Sequence, residues 1–380
     1  MRIIVLLSSL GTGGAEYSTL TFYGWLLKQG HNVKLICYKK ANPSYDPLPF
    51  GFDQIQYIAG NTFLKRIKSL NAIINEFKPQ LVHSVLFEAN LLTRIDHLMN
   101  RKFIHLESLV NETYSAFRLL DPNITKLKLE GYRLLDRITQ RKGVDHFHAN
   151  GIAVAKHYQE KLGIDPRRIT IVPRGRQANP FVGDVLNREK LRGELQTGDR
   201  LMIINVARHE FQKGQDVLLD ALDKLGPLKE KIQIVLAGRE GNLTPLIRHK
   251  ISAYKLESCV LILGHRNDVN ALLAAADIFV FPSRFEGLPG VLMEAEAAGL
   301  PIICSDIPNN REVAEENRNA LFFAVNDVQQ LSETIFKLAR DKELQKKMGT
   351  ESLAVYEQKF SLEEVHQTML SLLEKLTQSA

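Results

Sequence analysis

Apolar residues run unbroken through Arg2–Ser8 and again through Asn32–Tyr38. Between them a Gly-Thr-Gly-Gly turn opens onto a helical stretch, Ala15–Gln29, closed by Gly30. Short continuous apolar runs alternating with helix-length amphipathic segments predict parallel strands covered on both faces, because such strands have no solvent side to alternate with. The same pattern predicts strands near Leu81–Ser84, Lys102–His105, His146–Ala149 and Ile169–Val172. Pro173–Asn187 contains Pro, Gly and Asn with little periodicity and reads as a linker. A second series then begins at Leu201–Val206 and continues through Ile232–Ala237, Val260–Leu263, Ile278–Phe281 and Pro301–Cys304. The tail Ser361–Thr377 is amphipathic, with Val365, Met369, Leu372, Leu373 and Leu376 on one face. The expected fold is α/β: two Rossmann-like, doubly wound domains facing across a cleft that takes the ligand. Residues 1–178 form the first domain, 188–360 the second, and 361–380 a terminal segment.

Composition narrows the class. A chain of 380 residues, 44% apolar and 24% charged, is long enough for two cores. No run of 18 apolar residues occurs, which excludes a membrane-spanning helix of the usual kind. The opening MRIIVLL lacks a small-residue cleavage site and reads as a strand rather than a signal peptide. Cys37, Cys259 and Cys304 lie far apart without C-x-x-C spacing, which fits a reducing cytoplasm and no cysteine zinc site. His146 and His148 alternate on a strand, but no third ligand is in view and no metal is expected.

The net charge of +6 hides an asymmetry: residues 1–180 carry +11 and the remainder −5. A basic first half calls for an acidic partner: nucleic acid, an anionic membrane or a phosphorylated substrate. Nucleic acid is set aside for want of any zinc-finger, RNP-type or helix-turn-helix pattern. One helical stretch combines Lys126, Lys128, Arg133, Arg137, Arg141 and Lys142 with Leu127, Leu129, Leu134, Leu135 and Ile138. It suits either anionic lipid or a solvated face above a core face.

Three loops carry candidate chemistry. Gly11-Thr12-Gly13-Gly14-Ala15-Glu16 joins the first strand to the first helix, where a glycine backbone and a helix N-terminus favour an anion. Glu16 replaces the third glycine of a dinucleotide fingerprint, and Lys39 and Lys40 stand where its acidic residue belongs, so NAD is not expected. No Walker sequence occurs. Arg208 and Lys213 follow a strand and supply the two cations a diphosphate needs, if they do not simply face solvent. Ser283–Ala295 follows the strand Ile278–Phe281 and brackets a Gly287-Leu288-Pro289-Gly290 turn with Glu286 and Glu294. Turn amides suit a phosphate or sugar oxygen, and carboxylates accept from vicinal hydroxyls.

The Glu286-x7-Glu294 spacing, the Arg208-x4-Lys213 pair and the Gly-Gly-Ala-Glu loop together resemble the family-4 glycosyltransferases of GT-B fold, over essentially the whole chain. The resemblance implies metal-independent, retaining transfer of a sugar from a nucleotide-diphosphate-sugar, UDP- or GDP-linked, with no further cofactor. The implied acceptor is a hydroxyl of a polysaccharide, lipopolysaccharide or lipid-linked molecule at the inner face of the cytoplasmic membrane. It assigns Glu294 to the ribose, Glu286 to the transferred sugar, Arg208 and Lys213 to the diphosphate, and Gly287, Leu288, Pro289 and Gly290 to sugar or phosphate. Gly13 and Gly14 would close over the donor, and the terminal helix would cross back onto the first domain. A family histidine near the reacting carbon corresponds to His105, with His83 as the competitor. Arg174-Gly175-Arg176 departs from the Asn-Gly-Val pattern of many relatives, leaving its arginines between phosphate and solvent. The other readings are an epimerase or phosphorylase-like enzyme on this fold, and a silent nucleotide-sugar-binding partner subunit.

Overall fold

The computed structural model describes residues 1–11, 13–41, 45–120 and 125–378. The chain divides into two compact units, Met1–Gly175 with Glu363–Ala380, and Arg176–Leu362. Among the described residues the first holds seven parallel strands: β1 (Arg2–Leu7), β2 (Asn32–Cys37), β3 (Gln56–Tyr57), β4 (Leu81–Val85), β5 (Ile104–Leu109), β6 (His146–Ala149) and β7 (Ile169–Ile171). The second holds six, also parallel: β8 (Leu201–Val206), β9 (Ile232–Ala237), β10 (Val260–Gly264), β11 (Ile278–Phe281), β12 (Ile302–Ser305) and β13 (Ala320–Phe323). The strand orders are β3-β2-β1-β4-β5-β6-β7 and β10-β9-β8-β11-β12-β13. Each sheet therefore reverses direction once, between β1 and β4 and between β8 and β11. A crevice opens at the carboxyl ends of strands that part this way.

Burial on both faces explains the unbroken apolar runs. In β1, Ile3, Val5 and Leu7 pack with Leu20 and Tyr23, whereas Ile4 and Leu6 pack with Ile67 and Leu70 on the other side. In β9, Val235 and Ala237 face one core, and Ile232, Ile234 and Leu236 the other. The terminal helix, Leu362–Gln378, buries Val365, Met369, Leu372 and Leu373 in the first unit's core beside Ile3 and Phe22.

Three features depart from the sequence reading. The fifth strand runs Ile104–Leu109 rather than Lys102–His105. Glu107 and Ser108 ended the apolar run on paper, yet both are buried strand residues, satisfied by Arg94 and by histidines. The stretch read as a linker contains the start of a helix, Val185–Glu194, capped by the Asp184 carboxylate accepting from the Asn187 N–H at 2.9 Å. The strands Gln56–Tyr57 and Ala320–Phe323 lay outside the reading altogether.

Candidate functional site

The second unit gathers its candidate residues at its switch point. Leaving β8, the chain passes Arg208, turns through Phe211–Lys213 and enters the helix Gln215–Asp223 at Gly214. Gly214 has φ 65°, and a Cβ there would strike the Pro282 carbonyl at the end of β11. That glycine lets the two loops touch. Arg284 fastens them: its guanidinium donates to both carboxylate oxygens of Asp216, at 3.0 and 2.7 Å, and to Asn326 Oδ1 at 2.8 Å. It also lies 4.1 Å over the Phe211 ring. The Gln212 side chain donates to the Phe285 carbonyl at 2.7 Å, completing the seam.

On this frame Lys213 Nζ meets Glu286 Oε1 at 2.6 Å, with only 16% and 8% of their side chains exposed. Arg208 is exposed, and among the described residues its guanidinium has no hydrogen-bond or ion-pair partner. Gly287 to Pro289 lead into the helix Gly290–Ala297, with Leu288 buried and Pro289 at the N-cap. First-turn amides have no acceptor within their own helix, so this turn offers donors at the sheet's carboxyl edge. Glu294 lies one turn along the same helix face, and its Oε1 accepts from Arg176 Nε–H at 2.7 Å. The structure thus brings Lys213, Glu286, Glu294 and the Gly287–Gly290 turn to one edge, with Arg208 at the same edge. Arg284 and Asp216 had no role in the sequence reading, and Arg176, left there between phosphate and solvent, is a buried partner of Glu294. Their signal lay in charge repeated around these loops, and only tertiary pairing reveals it. His209, also in this loop, is buried with Nδ1 3.1 Å from Thr244 Oγ1, and burial lowers its pKa.

In the first unit Gly13 caps the helix Gly14–Lys28, and its N–H donates to Gly11 O at 2.8 Å. Thr12 of this loop lies outside the described residues. Glu16 folds back onto the loop, so that a Cβ at Gly13 would strike its carboxylate, and burial raises its pKa. The Arg174 guanidinium stands 3.1 Å from the position a Cβ would take at Gly14.

The histidines do not lie where a reacting-carbon histidine was expected. His105 is the second residue of β5, fully buried near the strand's amino end rather than its carboxyl edge. Its Nδ1–H donates to the Gly143 carbonyl at 2.5 Å and its Nε2 accepts from Ser84 Oγ at 2.8 Å. Burial pushes its pKa down to about 3. His83 belongs to a chain of neutral groups: Tyr23 O–H to His83 Nδ1 at 2.6 Å, His83 Nε2–H to Ser108 Oγ at 2.7 Å, and Ser108 O–H to His148 Nδ1 at 2.8 Å. His148 Nε2–H ends the chain on the Val172 carbonyl at 2.9 Å, which fixes every tautomer. His146 is bonded to Thr170 at 2.8 Å, and no group of three or more metal-ligating side chains occurs among the described residues.

The basic helix, Lys126–Gly143, is inverted relative to an ordinary core helix. Leu127, Leu134 and Ile138 are 85%, 59% and 63% exposed, while Asp136, Thr139 and Gln140 face inward. Asp136 Oδ1 accepts from buried Arg94 at 2.6 Å, and the other edge of that guanidinium grips Glu107 at 2.6 and 2.5 Å. Tyr114 O–H donates to the other Asp136 oxygen.

Two family descriptions divide the chain: Glycosyltransferase Family 4 matches residues 12–178, and Glycosyl transferases group 1 matches residues 187–354. The chain belongs to the family-4 glycosyltransferases. EpsF of Bacillus subtilis is 37% identical over 145 residues, 38% of this chain and 37% of its own. The UDP-Gal:alpha-D-GlcNAc-diphosphoundecaprenol alpha-1,3-galactosyltransferase of Escherichia coli is 26% identical over 204 residues, 49% of each chain. These matched stretches span about half or less of the relatives' own length. The crystal structure of Anabaena HepE in complex with UDP superposes with a TM-score of 0.86 at 18% identity, covering 99% of this glycosyltransferase and 100% of HepE. That likeness shows the GT-B fold.

Proposed function

We propose that this family-4 glycosyltransferase moves a sugar from a nucleotide-diphosphate-sugar, UDP- or GDP-linked, to an acceptor hydroxyl, retaining the anomeric configuration and using no metal. The observation that carries the reading is the pairing of two carboxylates with two cations, Lys213–Glu286 and Arg176–Glu294, around a helix-opening glycine turn at the β8/β11 switch point. Glu294 accepts from the ribose hydroxyls and Glu286 from the transferred sugar. As the bond from the anomeric carbon to the diphosphate oxygen breaks, negative charge gathers on the diphosphate. Lys213, Arg208 and the turn amides stabilise it as it develops. The acceptor oxygen bonds to the anomeric carbon from the same face, and its proton passes to a diphosphate oxygen.

The E. coli relative's UDP-galactose and diphosphoundecaprenol, and the UDP bound to HepE, support a uridine donor and a lipid-linked or polysaccharide acceptor. The outward Leu127, Leu134 and Ile138 among lysines and arginines support docking on an anionic membrane, where a lipid-linked acceptor resides. A thermal-shift panel of UDP-, GDP-, ADP- and TDP-sugars in EDTA, repeated on Glu294→Ala, tests the donor assignment. Stabilisation by one nucleotide series, lost in the variant, is expected. No shift with any donor moves the reading to a silent partner subunit. Epimerisation of the donor without acceptor replaces transfer by the epimerase reading.

A further inference from the structure

At the amino edge of its sheet the second unit has an open cavity of about 1250 Å³. Leu201 and Ile232 begin β8 and β9, Asp277 precedes β11 and Pro301 precedes β12, and all four line it. The candidate donor residues follow the carboxyl ends of β8 and β11 instead. Strands of four to six residues separate the two edges, roughly 13–20 Å at about 3.3 Å per residue. Seven basic side chains line the cavity against two acidic ones, in a half of the chain whose net charge is −5. Arg188 and Arg192 build its wall. Arg188 donates to Ala275 O and Ala276 O, both at 2.8 Å, and Arg192 to Asp277 Oδ2 at 3.0 Å and Arg200 O at 2.6 Å. These bonds satisfy the last carbonyls of the helix Val269–Ala275 and occupy Asp277. The Arg200 guanidinium donates to the carbonyls of Gln196, Thr197 and Ser258, which leave its charge uncancelled.

The other cations are Lys231, Arg340, Lys342 and Lys346. Among the described residues the three ammonium groups have no hydrogen-bond or ion-pair partner, and Arg340 lies 5.0 Å over the Phe336 ring. One further carboxylate, Asp199, faces these four. Elsewhere in the unit such side chains are paired, as Lys250 is with Asp220, Lys359 with Glu315 and Arg318 with Glu351. Like charges gathered on a concave wall repel one another and draw in counter-charge, because a cleft focuses their field. A soluble anion can enter such a hollow, whereas a bilayer cannot. The volume exceeds the roughly 300–1,000 Å³ of an ordinary small-ligand site and so has room for a chain of phosphates. Lysine ammoniums bind phosphate as compact point charges, without the fixed geometry an arginine fork demands. We infer that this cavity is a second anion site, separate from the donor site, for a soluble oligophosphate carrying three or more negative charges. Inorganic polyphosphate or a nucleoside triphosphate supplies that chemistry. Leu228, Leu300 and Leu353, which also line the cavity, offer apolar surface to the ring of the second.

The test is titration calorimetry of the full chain with sodium tripolyphosphate and with ATP, at about 150 mM salt so that diffuse surface attraction is screened. Wild type is compared with the triple variant Lys231→Gln, Lys342→Gln and Lys346→Gln, and with Arg208→Gln at the opposite edge. All four side chains are exposed, and circular dichroism checks that each variant is folded. Wild type should bind tripolyphosphate with Kd below about 1 mM, weakened about ten-fold or more in the triple variant and less than about two-fold in Arg208→Gln. ATP binding about ten-fold tighter than tripolyphosphate would identify a nucleotide as the occupant, and equal affinities the phosphate chain alone. A loss confined to Arg208→Gln would assign the binding to the donor site and overturn the inference. So would equal binding by wild type and the triple variant, or no binding to wild type at millimolar concentration. Each of these last two results leaves the donor reading intact.

Discussion

Lys213 and Glu286 hold each other at 2.6 Å with little solvent between them and the protein interior, so neither can be removed quietly. On the proposed mechanism Lys213→Ala is expected to lower kcat by about 100-fold with a much smaller change in donor KM, because the charge it would meet develops chiefly as a diphosphate departs. It should also cost about 1–3 kcal/mol of stability, since Glu286 is left unpaired. A steady-state assay and a urea melt measure both; an equal rise in KM would place Lys213 in ground-state binding instead. Glu294→Ala should do the opposite, raising KM for the donor more than it lowers kcat. Gly290→Ala argues the same site from the other side. Alanine ordinarily favours a helix over glycine, yet here its methyl displaces the Arg176 guanidinium. Unchanged helix content with a loss of about 1–3 kcal/mol of stability, as the Arg176–Glu294 pair is broken, is the expected result, read by circular dichroism and a urea melt. At this scale the sequence was informative where spacing alone carries meaning, as in Glu286 and Glu294 bracketing a glycine turn. It left Arg176 between phosphate and solvent and was silent on Arg284, because each charge acquires its role from a partner more than sixty residues away.

Elements were legible wherever burial is uniform. Continuous apolar runs located most strands, since a strand covered on both faces leaves no other pattern. They failed at β5, where Glu107 and Ser108 are buried through hydrogen bonds rather than through apolarity. The helix Lys126–Gly143 shows the same effect in reverse. Its leucines suggested a core face, but the Arg94–Asp136–Glu107 cluster draws the polar side inward and turns Leu127, Leu134 and Ile138 out. Removing the cation should be severe: Arg94→Met leaves two buried carboxylates uncompensated, at a cost of about 3–5 kcal/mol in a denaturation curve. The outward face should behave differently. Leu134→Glu with Ile138→Glu ought to change stability by no more than about 1 kcal/mol, both sites being exposed. The pair should reduce co-sedimentation with phosphatidylglycerol vesicles by about ten-fold or more, because two apolar contacts with the bilayer and the local positive charge are lost together. Undiminished vesicle binding would remove this helix from the membrane reading.

At the scale of the molecule, the two units share a topology but not a titration. Of the histidines whose pKa is lowered by burial, His31, His83, His105, His146, His148, His157 and His366 all lie in the first unit, and only His209 in the second. His148, His157 and His366 are pushed down to about 4. The folded unit keeps these rings neutral, while the unfolded chain protonates them near 6.5. Between pH 6.5 and about 4 the unfolded chain therefore binds more protons, and stability falls as pH drops through that window. The Tyr23–His83–Ser108–His148 chain explains the resistance to protonation. Each ring nitrogen already gives or accepts one bond, so an added proton would face another donor. Calorimetry at pH 7.0 and 5.0 should show the first unit's transition moving down by about 10 °C or more. The second unit's transition should move less. Hydrogen exchange at pH 5.0, corrected for the intrinsic rate, should find protection lost across β4, β5 and β6 before β8 and β11. Transitions that fall together would assign acid sensitivity to carboxylates common to both units rather than to the buried histidines of one.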